Sequence, residues 1–393
     1  MDSNTTPPTE IDITLIGGGI AGAWLGNLLL QRGYRVALFE AQGWGSGQTL
    51  ASQGMIHGGL KYALDGEVGS ATDAIAPMPA RWRDCLAGKD EIDLTGVPVL
   101  ADQYMLFAAA NTLGKLTSFF ASRALRGRIN KLDLDAWPES FKGFAGAVYG
   151  VEDFVLDTPA LMEHLSRPLR PHSYHMALAA EHIEPNDTGF RITTPFGTWQ
   201  SRYLVSCAGQ GSGGLADALG IDDLAVQHRP LKQVIVRPRH TAPMYAHCLS
   251  ALSGAEPRLT ITSHGSGADF VWYLGGALAT RGAQLADDEL LQTAQQELHT
   301  CVPWLDWHGA EYSVLEIDRC EPATPDGGKP DDAHARASKH FAGRFIQCFP
   351  TKLTLTPHLG DRVLELLDPP RATGPALEPS AAAVPMAREP WAR

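Results

Sequence analysis

The chain is short of cysteine, of long apolar runs and of basic charge. Its six cysteines, in 393 residues, include no Cys-x-x-Cys pair, so a disulfide framework is not indicated and a reducing compartment is favoured. A redox pair assembled only in space stays open. No segment approaches the roughly 18 apolar residues that span a bilayer. The net charge of −12 argues against a nucleic-acid partner, but a local basic cluster can still bind a small anion.

What is present indicates a globular chain of two or three structural units. Hydrophobic residues make up 44%, enough for a large core. The first ten residues contain acids and no basic region, so we expect no signal peptide and a cytoplasmic location. Residues 369–393, rich in Pro and Ala, are predicted to be a disordered tail. No metal site is predicted.

The strongest motif is a glycine-rich turn between a strand and a helix. An apolar strand ends in Gly17-x-Gly19-x-x-Gly22, a helical pattern follows, and the next strand ends in Glu40. In such a βαβ unit the glycines allow a tight turn, close approach to a pyrophosphate and close helix packing. Glu40 has the position of a ribose-binding acid, which favours an unphosphorylated ribose over NADP.

The motif by itself does not separate FAD from NAD. A long loop rich in Gly, Ser and Gln follows it over residues 41–63, and a loop of that length usually has a function. Because FAD would run extended past this loop, we predict FAD as the cofactor.

The remaining pattern predicts an α/β protein with a second domain. We expect a Rossmann-like FAD-binding domain from residues 10–70, 150–225 and 340–368. A substrate domain with an antiparallel sheet is expected from 71–149 and 226–339, where strand-like runs and a helix near 285–301 alternate.

Residues 45–62 resemble the FAD-dependent D-amino acid oxidase superfamily. Within them, Ile56-His57-Gly58-Gly59-Leu60-Lys61-Tyr62 is most similar to FAD-linked glycerol-3-phosphate dehydrogenase, which has Arg where this chain has Lys61. L-2-hydroxyglutarate oxidoreductases carry a looser version. The resemblance covers roughly residues 10–367. It does not extend to the extra C-terminal helical domain of the glycerol-3-phosphate enzymes.

Three further segments agree with this resemblance. Leu204 to Gly209 is similar to the late strand that ends in Ala-Gly beside the flavin. Arg319 with the following PATPDG resembles an Arg-Pro…Pro-Asp-Gly segment whose arginine grips the substrate anion. Lys352-Leu353-Thr354 is similar to a Gly-Lys-Leu-Thr element near the flavin ring, with Thr351 in place of the glycine. With the loop and the motif, the expected FAD-binding residues are Gly17, Gly19, Gly22, Glu40, Thr49, Ser52, Gln53, Gly54, Ala208, Gly209, Leu353 and Thr354.

The expected catalytic residues are His57 and Lys352. His57 suits a catalytic base, a covalent flavin link or a structural hydrogen bond. Lys352 suits a positive charge beside the flavin N1–C2=O edge, or is a surface lysine. Lys61, Tyr62 and Arg319 are the expected substrate-binding residues. Arg319 has a structural alternative, an ion pair with Asp318 or Glu316.

The resemblance implies an enzyme that oxidises a small anionic substrate at a CH–OH carbon by hydride transfer to FAD. Oxidation of an amine or amino acid, and a flavin-binding protein without turnover, are the alternatives. The expected electron acceptor is a quinone, a carrier protein or oxygen, with a dehydrogenase favoured. A basic cluster around residues 116–125 (Lys115, Arg123, Arg126, Arg128 and Lys131) suggests weak peripheral membrane contact.

Overall fold

The computed structural model describes residues 8–59, 70–109, 129–249, 256–373, 377 and 383–392. Its helices are α1 Ile20–Gln31, α2 Ser70–Ile75, α3 Met78–Leu86, α4 Thr158–Leu169, α5 Gly211–Ala218, α6 Ala277–Gly282, α7 Asp287–Cys301 and α8 Thr356–Leu364. Its strands are β1 Thr9–Ile16, β2 Val36–Glu40, β3 Met55–Ile56, β4 Val99–Ala101, β5 Tyr104–Ala109, β6 Ile129–Lys131, β7 Gly146–Val151, β8 Phe154–Leu156, β9 Ser173–His175, β10 Ile183–Asn186, β11 Gly189–Thr194, β12 Gly197–Ser206, β13 Val226–His228, β14 Leu231–Arg237, β15 Ala246–Cys248, β16 Leu259–His264, β17 Val271–Gly275, β18 Glu311–Ile317, β19 Cys320–Pro322, β20 His334–Ala337 and β21 Phe345–Phe349.

The first sheet has a parallel centre. β1 lies between β12 and β2, both parallel to it; β9 extends the sheet beyond β2, and β21 pairs in parallel with the end of β12. The hairpin β10–β11 and the strand β20 add antiparallel pairs. The last six residues of β1 are all buried, as expected for a strand covered on both faces.

Helix α1 covers one face of this sheet and is apolar almost all round. A Cβ at Gly26 would lie 2.7 Å from Leu169 Cδ2 in α4, and one at Gly360 in α8 would lie 2.8 Å from Leu28 Cδ2. These glycines let three helices pack closely, which fixes the start of α1 beside the carboxyl ends of β1 and β12.

The second sheet has the order β18-β14-β17-β16-β15-β5-β7-β6. All its pairs are antiparallel except β15 with β5. Helices α6 and α7 cover one face through an apolar core that includes Trp272 and Leu290. The opposite face carries alternate residues such as Gln233 and Tyr273. A small sheet β3-β8-β4 and the pair β13–β19 complete the strands of the described residues.

The predicted α/β class is therefore confirmed, with one parallel pair inside the expected antiparallel sheet. The predicted domain bounds stay a proposal. One detail of the first sheet bears on them: β20 belongs to it, although residues up to 339 were assigned to the substrate domain.

The expectation of a disordered C-terminal tail needs correction over residues 383–392. Trp44 N–H donates to Pro385 O at 2.8 Å, and Ala387 N–H donates to Trp44 O at 3.1 Å. Val384 and Trp391 are buried. These apolar side chains give the segment a reason to pack that its Pro- and Ala-rich composition hides. Within the described residues, no helix is long and apolar enough to cross a membrane.

Candidate active site

The glycine turn leaves no space for side chains. Gly17 has φ +107°, and a Cβ there would lie 2.4 Å from Cys207 O. A Cβ at Gly22 would lie 1.9 Å from Gly17 O. The turn brings the first N–H groups of α1, which lack intrahelical partners, to the edge of an open cavity. Such a helix start favours a phosphate group.

Glu40 organises the backbone around this turn. Its Oε2 accepts from Gly18 N–H at 2.5 Å, and its Oε1 accepts from Gln42 N–H at 2.7 Å and Gly43 N–H at 2.9 Å. The side chain is buried and lines the cavity. Glu40 therefore holds together the turn and the following loop, besides being placed to meet a ribose.

The cavity has a volume of about 540 Å³ and is lined by both large sheets. The first sheet and its loops contribute most of the wall, and Leu231, Gln233 and Ile317 come from the second sheet. Gln233 Oε1 is buried and has no hydrogen-bond partner among the described residues. A glycine cradle at a helix start, a buried carboxylate and an unpartnered amide oxygen together fit a large polar cofactor such as FAD.

Arg319 lines this cavity, but its ion-pair partner differs from the two predicted. Its Nε lies 2.9 Å from Glu321 Oε1, without the angle of a hydrogen bond, and Glu321 Oε2 accepts from Arg229 Nη1 at 3.1 Å. Glu321 is 1% exposed. One buried carboxylate therefore shares two guanidinium groups, and burial lowers the pKa of Arg319.

Lys352 lies at the same end of the cavity. Its Nζ donates to Asp331 O at 3.0 Å and to Pro330 O at 3.4 Å, and its side chain is 7% exposed. Burial, assisted by the charge of Lys329, lowers the pKa of Lys352 to about 8. An amine with that pKa is able to exchange a proton near neutral pH.

His57 lies just beyond the cavity, next to Lys352 in space. Its backbone N–H donates to Thr354 Oγ1 at 3.1 Å, and its ring Nδ1 accepts from the backbone N–H of Gly59 at 3.3 Å. Desolvation, with the charges of Lys329 and Lys352, lowers the pKa of His57 to about 3. The imidazole is therefore neutral at pH 7.

The second sheet faces His57 with a second histidine, His247 on β15. The His247 ring lies 4.6 Å from the Tyr104 ring, centroid to centroid, and its Nδ1 lies 2.9 Å from Thr260 Oγ1. Gln53, from the loop before β3, donates through Nε2 to Thr262 Oγ1 at 3.1 Å. The loop that carries His57 is thereby held against this face of the sheet.

Comparison with known proteins decides the family. Residues 12–303 match the DAO family, described as FAD dependent oxidoreductase. The chain is 40% identical over 365 residues to the probable FAD-dependent oxidoreductase PA4991 of Pseudomonas aeruginosa, covering 91% of this chain and 90% of that protein. This chain belongs to the DAO family of FAD-dependent oxidoreductases. The predictions of the superfamily and of FAD are thus confirmed at the level of the family.

Solved structures show that the fold is shared with other proteins, and a shorter sequence match covers one segment of the chain. The crystal structure of PA4991 has a TM-score of 0.80 and 32% identity over 98% of this chain and 99% of that chain. L-alpha-glycerophosphate oxidase from Mycoplasma pneumoniae has a TM-score of 0.65 at 14% identity, covering 91% of this chain and 94% of that one. The aerobic glycerol-3-phosphate dehydrogenase of Staphylococcus epidermidis is 41% identical over 61 residues, 16% of this chain and 11% of that protein. The similarity to the dehydrogenase is therefore only partial.

The expected site residues of this DAO family member fall into three groups. Most line the cavity: Gly17, Gly19, Glu40, Thr49, Ser52, Ala208, Gly209, Arg319, Lys352 and Leu353. Others support it from outside the lining: Gly22 packs on the turn, Gln53 bonds to the second sheet, Gly54 O accepts from Leu156 N–H, and buried Thr354 holds His57. Lys61 and Tyr62 lie outside the described residues, as do all members of the basic cluster except Lys131.

Sequence reasoning missed Glu321, Gln233 and His247. The sequence did contain a signal for Glu321. In the segment that resembles Arg-Pro…Pro-Asp-Gly, the residue directly before Pro322 is Glu321 and not Arg319. Gln233 and His247 had none, since each belongs to a strand whose neighbours in the sheet are distant in sequence.

Proposed function

We propose that this protein oxidises a small anionic substrate at a CH–OH carbon with FAD. The observation that supports this most is the group of cations at one end of the cofactor cavity. Arg319 and Lys352 line it, and Lys329 is close enough to lower the pKa of both His57 and Lys352. Even in a chain with net charge −12, a local group of cations can bind a small anion.

Bound FAD supplies the hydride acceptor, at its N5 atom. As the C–H hydride leaves the substrate carbon and the carbonyl forms, the hydroxyl proton needs an acceptor in the protein. We assign it to Lys352 Nζ, because this buried amine lines the cavity and its pKa, lowered to about 8, lets it exchange a proton near neutral pH. His57 Nδ1 is already occupied by the Gly59 N–H.

Oxidation of an amine or amino acid is the second candidate, and Glu321 favours it. This carboxylate lines the cavity, is buried, and has one oxygen, Oε1, that makes no hydrogen bond within the described residues. An ammonium group would satisfy that oxygen. Against this, the two guanidinium groups of Arg229 and Arg319 already balance the charge of Glu321.

Anaerobic bleaching of the flavin tests both candidates. The purified protein is mixed without oxygen with glycerol 3-phosphate, lactate, 2-hydroxyglutarate, glycine, proline and sarcosine, each at millimolar concentration. We expect a hydroxy compound to bleach the flavin band and release no ammonia. Bleaching by glycine with release of ammonia, or by proline or sarcosine, whose secondary amines are oxidised to imines without release of ammonia, would support the second candidate. A flavin that no compound reduces would contradict both and indicate a flavin-binding protein without turnover.

We propose further that the enzyme is a cytoplasmic dehydrogenase, with weak peripheral membrane contact, that passes electrons to a quinone or carrier protein. The support is the resemblance of the segment 56–62 to a respiratory dehydrogenase and the basic cluster named above. Stopped-flow reoxidation of the substrate-reduced enzyme tests the acceptor. Reoxidation by a soluble quinone should exceed reoxidation by air. Reaction with air that is faster, and that matches turnover, would identify an oxidase.

A further inference from the structure

Two histidines from different sheets meet beyond the end of the cofactor cavity. His57 follows β3, whose Met55 packs against the buried cluster that contains Tyr104. The Tyr104 ring lies 4.6 Å from the His247 ring at an angle of 54°, and His247 is close enough to His57 to contribute to its lowered pKa. Gln53 Nε2 lies 3.4 Å from the carbonyl oxygen of Thr260, whose hydroxyl contacts His247. These contacts hold the two imidazoles near each other. Neither lines the cavity assigned to FAD, and we place the approach of the substrate in the region beside them.

A hydrogen bond fixes which nitrogen of the His57 ring carries the proton. His57 Nδ1 accepts from Gly59 N–H, so the neutral ring holds its proton on Nε2. At His247, Nδ1 meets the hydroxyl of Thr260, which is 6% exposed and has no other hydrogen-bond partner within the described residues. This contact suits either direction; we assign the hydroxyl as its donor, which places the proton of His247 on Nε2 as well.

Both rings are uncharged at pH 7. Desolvation lowers the pKa of His247 to about 3, as it does that of His57. Each histidine therefore offers one N–H donor and no charge of its own. Hydrogen bonds from such donors to an anion stabilise it and fix its orientation through the direction of each N–H bond.

We propose that His57 and His247 form a pair of N–H donors that binds the anionic group of the substrate, alongside the charges of Lys329 and Arg319. This rests on the proposed function and deepens it. It gives His57 a binding role instead of the role of proton acceptor. It also assigns to His247 a role in substrate specificity, because both donors must reach the same anion.

The protonation pattern is the first test. FAD-loaded protein labelled with ¹⁵N-histidine is examined at pH 7 by two-bond ¹H–¹⁵N correlation, and the two rings are assigned by their loss in His57→Phe and His247→Phe. We expect the Nε2–H form at both positions. A ring protonated on Nδ1, or on both nitrogens, at either position would overturn the proposal. This measurement needs no substrate, so it stands even if the flavin is never bleached.

Binding of inorganic phosphate, as a probe anion, is the second test. It is followed by the shifts of the two ring nitrogens and by flavin absorbance. His57→Phe and His247→Phe should each weaken phosphate binding about 10-fold or more, the loss of one hydrogen bond to an anion. His57→Gln and His247→Gln, whose amide N–H replaces Nε2–H, should stay near wild type.

His308→Phe, at an exposed histidine, is the matched control and should change nothing. FAD content and circular dichroism establish that each variant is folded. If phosphate leaves both rings of the wild-type protein unshifted, or binds the Phe variants as well as the wild type, the pair is not an anion site. A protein that bleaches with a substrate but fails here would keep the proposed function and lose the histidine pair.

Discussion

Among single residues, the Glu40 carboxylate holds the backbone together beside the cavity proposed for the cofactor. It accepts backbone N–H groups from the glycine turn and from the loop after β2, and it lines the cavity. Glu40→Gln removes the charge and one acceptor oxygen while it preserves shape. We expect the FAD dissociation constant to rise about 10- to 100-fold, since hydrogen bonds to a charged group contribute about 1.5–3 kcal/mol.

Titration of the apoprotein with FAD, followed by flavin fluorescence, measures this. Glu184→Gln, at an exposed position on β10 of the same sheet, is the matched control and should bind FAD as wild type. Equal FAD affinity in Glu40→Gln and the control would show that the carboxylate does not contribute to cofactor binding.

Lys352 leads to a pH prediction. Burial lowers its pKa to about 8, with Lys329 acting in the same direction and Asp331, Glu321 and Asp332 acting against it. Below that pH the amine is protonated and cannot accept a proton. The rate of flavin reduction by the substrate that bleaches it should therefore rise through about pH 8 and then level off.

Lys352→Met should slow flavin reduction at least ~100-fold at high pH, a loss typical of a missing general base. The same variant should also lose the rise of the rate near pH 8. Anaerobic stopped-flow measurements between pH 6 and pH 10 provide the profile, with exposed Lys339→Met as control. A rate that falls as pH rises would instead assign the ammonium form, acting as a positive charge beside the flavin.

Among the elements, the C-terminal segment 383–392 connects parts that are distant in sequence. At one end it pairs with Trp44, next to the glycine turn; a Cβ at Gly18 would lie 3.1 Å from Trp44 Cε3. At the other end the Trp391 ring lies 5.0 Å from His264 and 5.5 Å from Tyr273, and Trp391 O accepts from Arg237. The segment therefore links the cofactor loop to the second sheet.

Truncation of the chain after residue 382 should weaken FAD binding by up to about 30-fold, because the Trp44 loop loses two backbone hydrogen bonds of roughly 1 kcal/mol each. Trp391→Ala should reduce the free energy of unfolding by about 3 kcal/mol through lost packing, while Trp391→Phe should retain most of it. FAD titration and urea denaturation measure the two effects. Unchanged FAD affinity after truncation would mean that the Trp44 loop holds its position without the segment.

The elements also show which features a sequence reveals. The βαβ unit was predictable because strand, glycine turn, helix and acid follow one another within about 30 residues, as they do in dinucleotide-binding folds generally. The C-terminal segment was not, since its composition gives no periodic pattern and its stability comes from partners more than 110 residues away. Glu321 was overlooked as the partner of Arg319 for a different reason: Asp318 and Glu316 are also within three residues of Arg319, and only the pairing of β13 with β19 separates these candidates.

At the scale of the whole molecule, the cofactor cavity lies where the two large sheets meet, so FAD should act as part of the core. Residues of β1, β2 and β21, with the loop after β12, line it from one side, and residues of β14 and β18 from the other. A ligand that binds only the native state stabilises it by about 2.7 kcal/mol at a concentration 100 times its dissociation constant.

Removal of FAD should therefore lower the melting temperature by several degrees, and the melting temperature should rise with the logarithm of added FAD. Differential scanning calorimetry measures the melting temperature, and FMN serves as the comparison. FMN lacks the adenosine half of FAD, which we expect the glycine turn and Glu40 to hold. FMN should therefore raise the melting temperature less than FAD does. An equal rise with FMN would show that the glycine turn contributes little to binding. A melting temperature independent of FAD would place the cofactor outside the junction of the sheets.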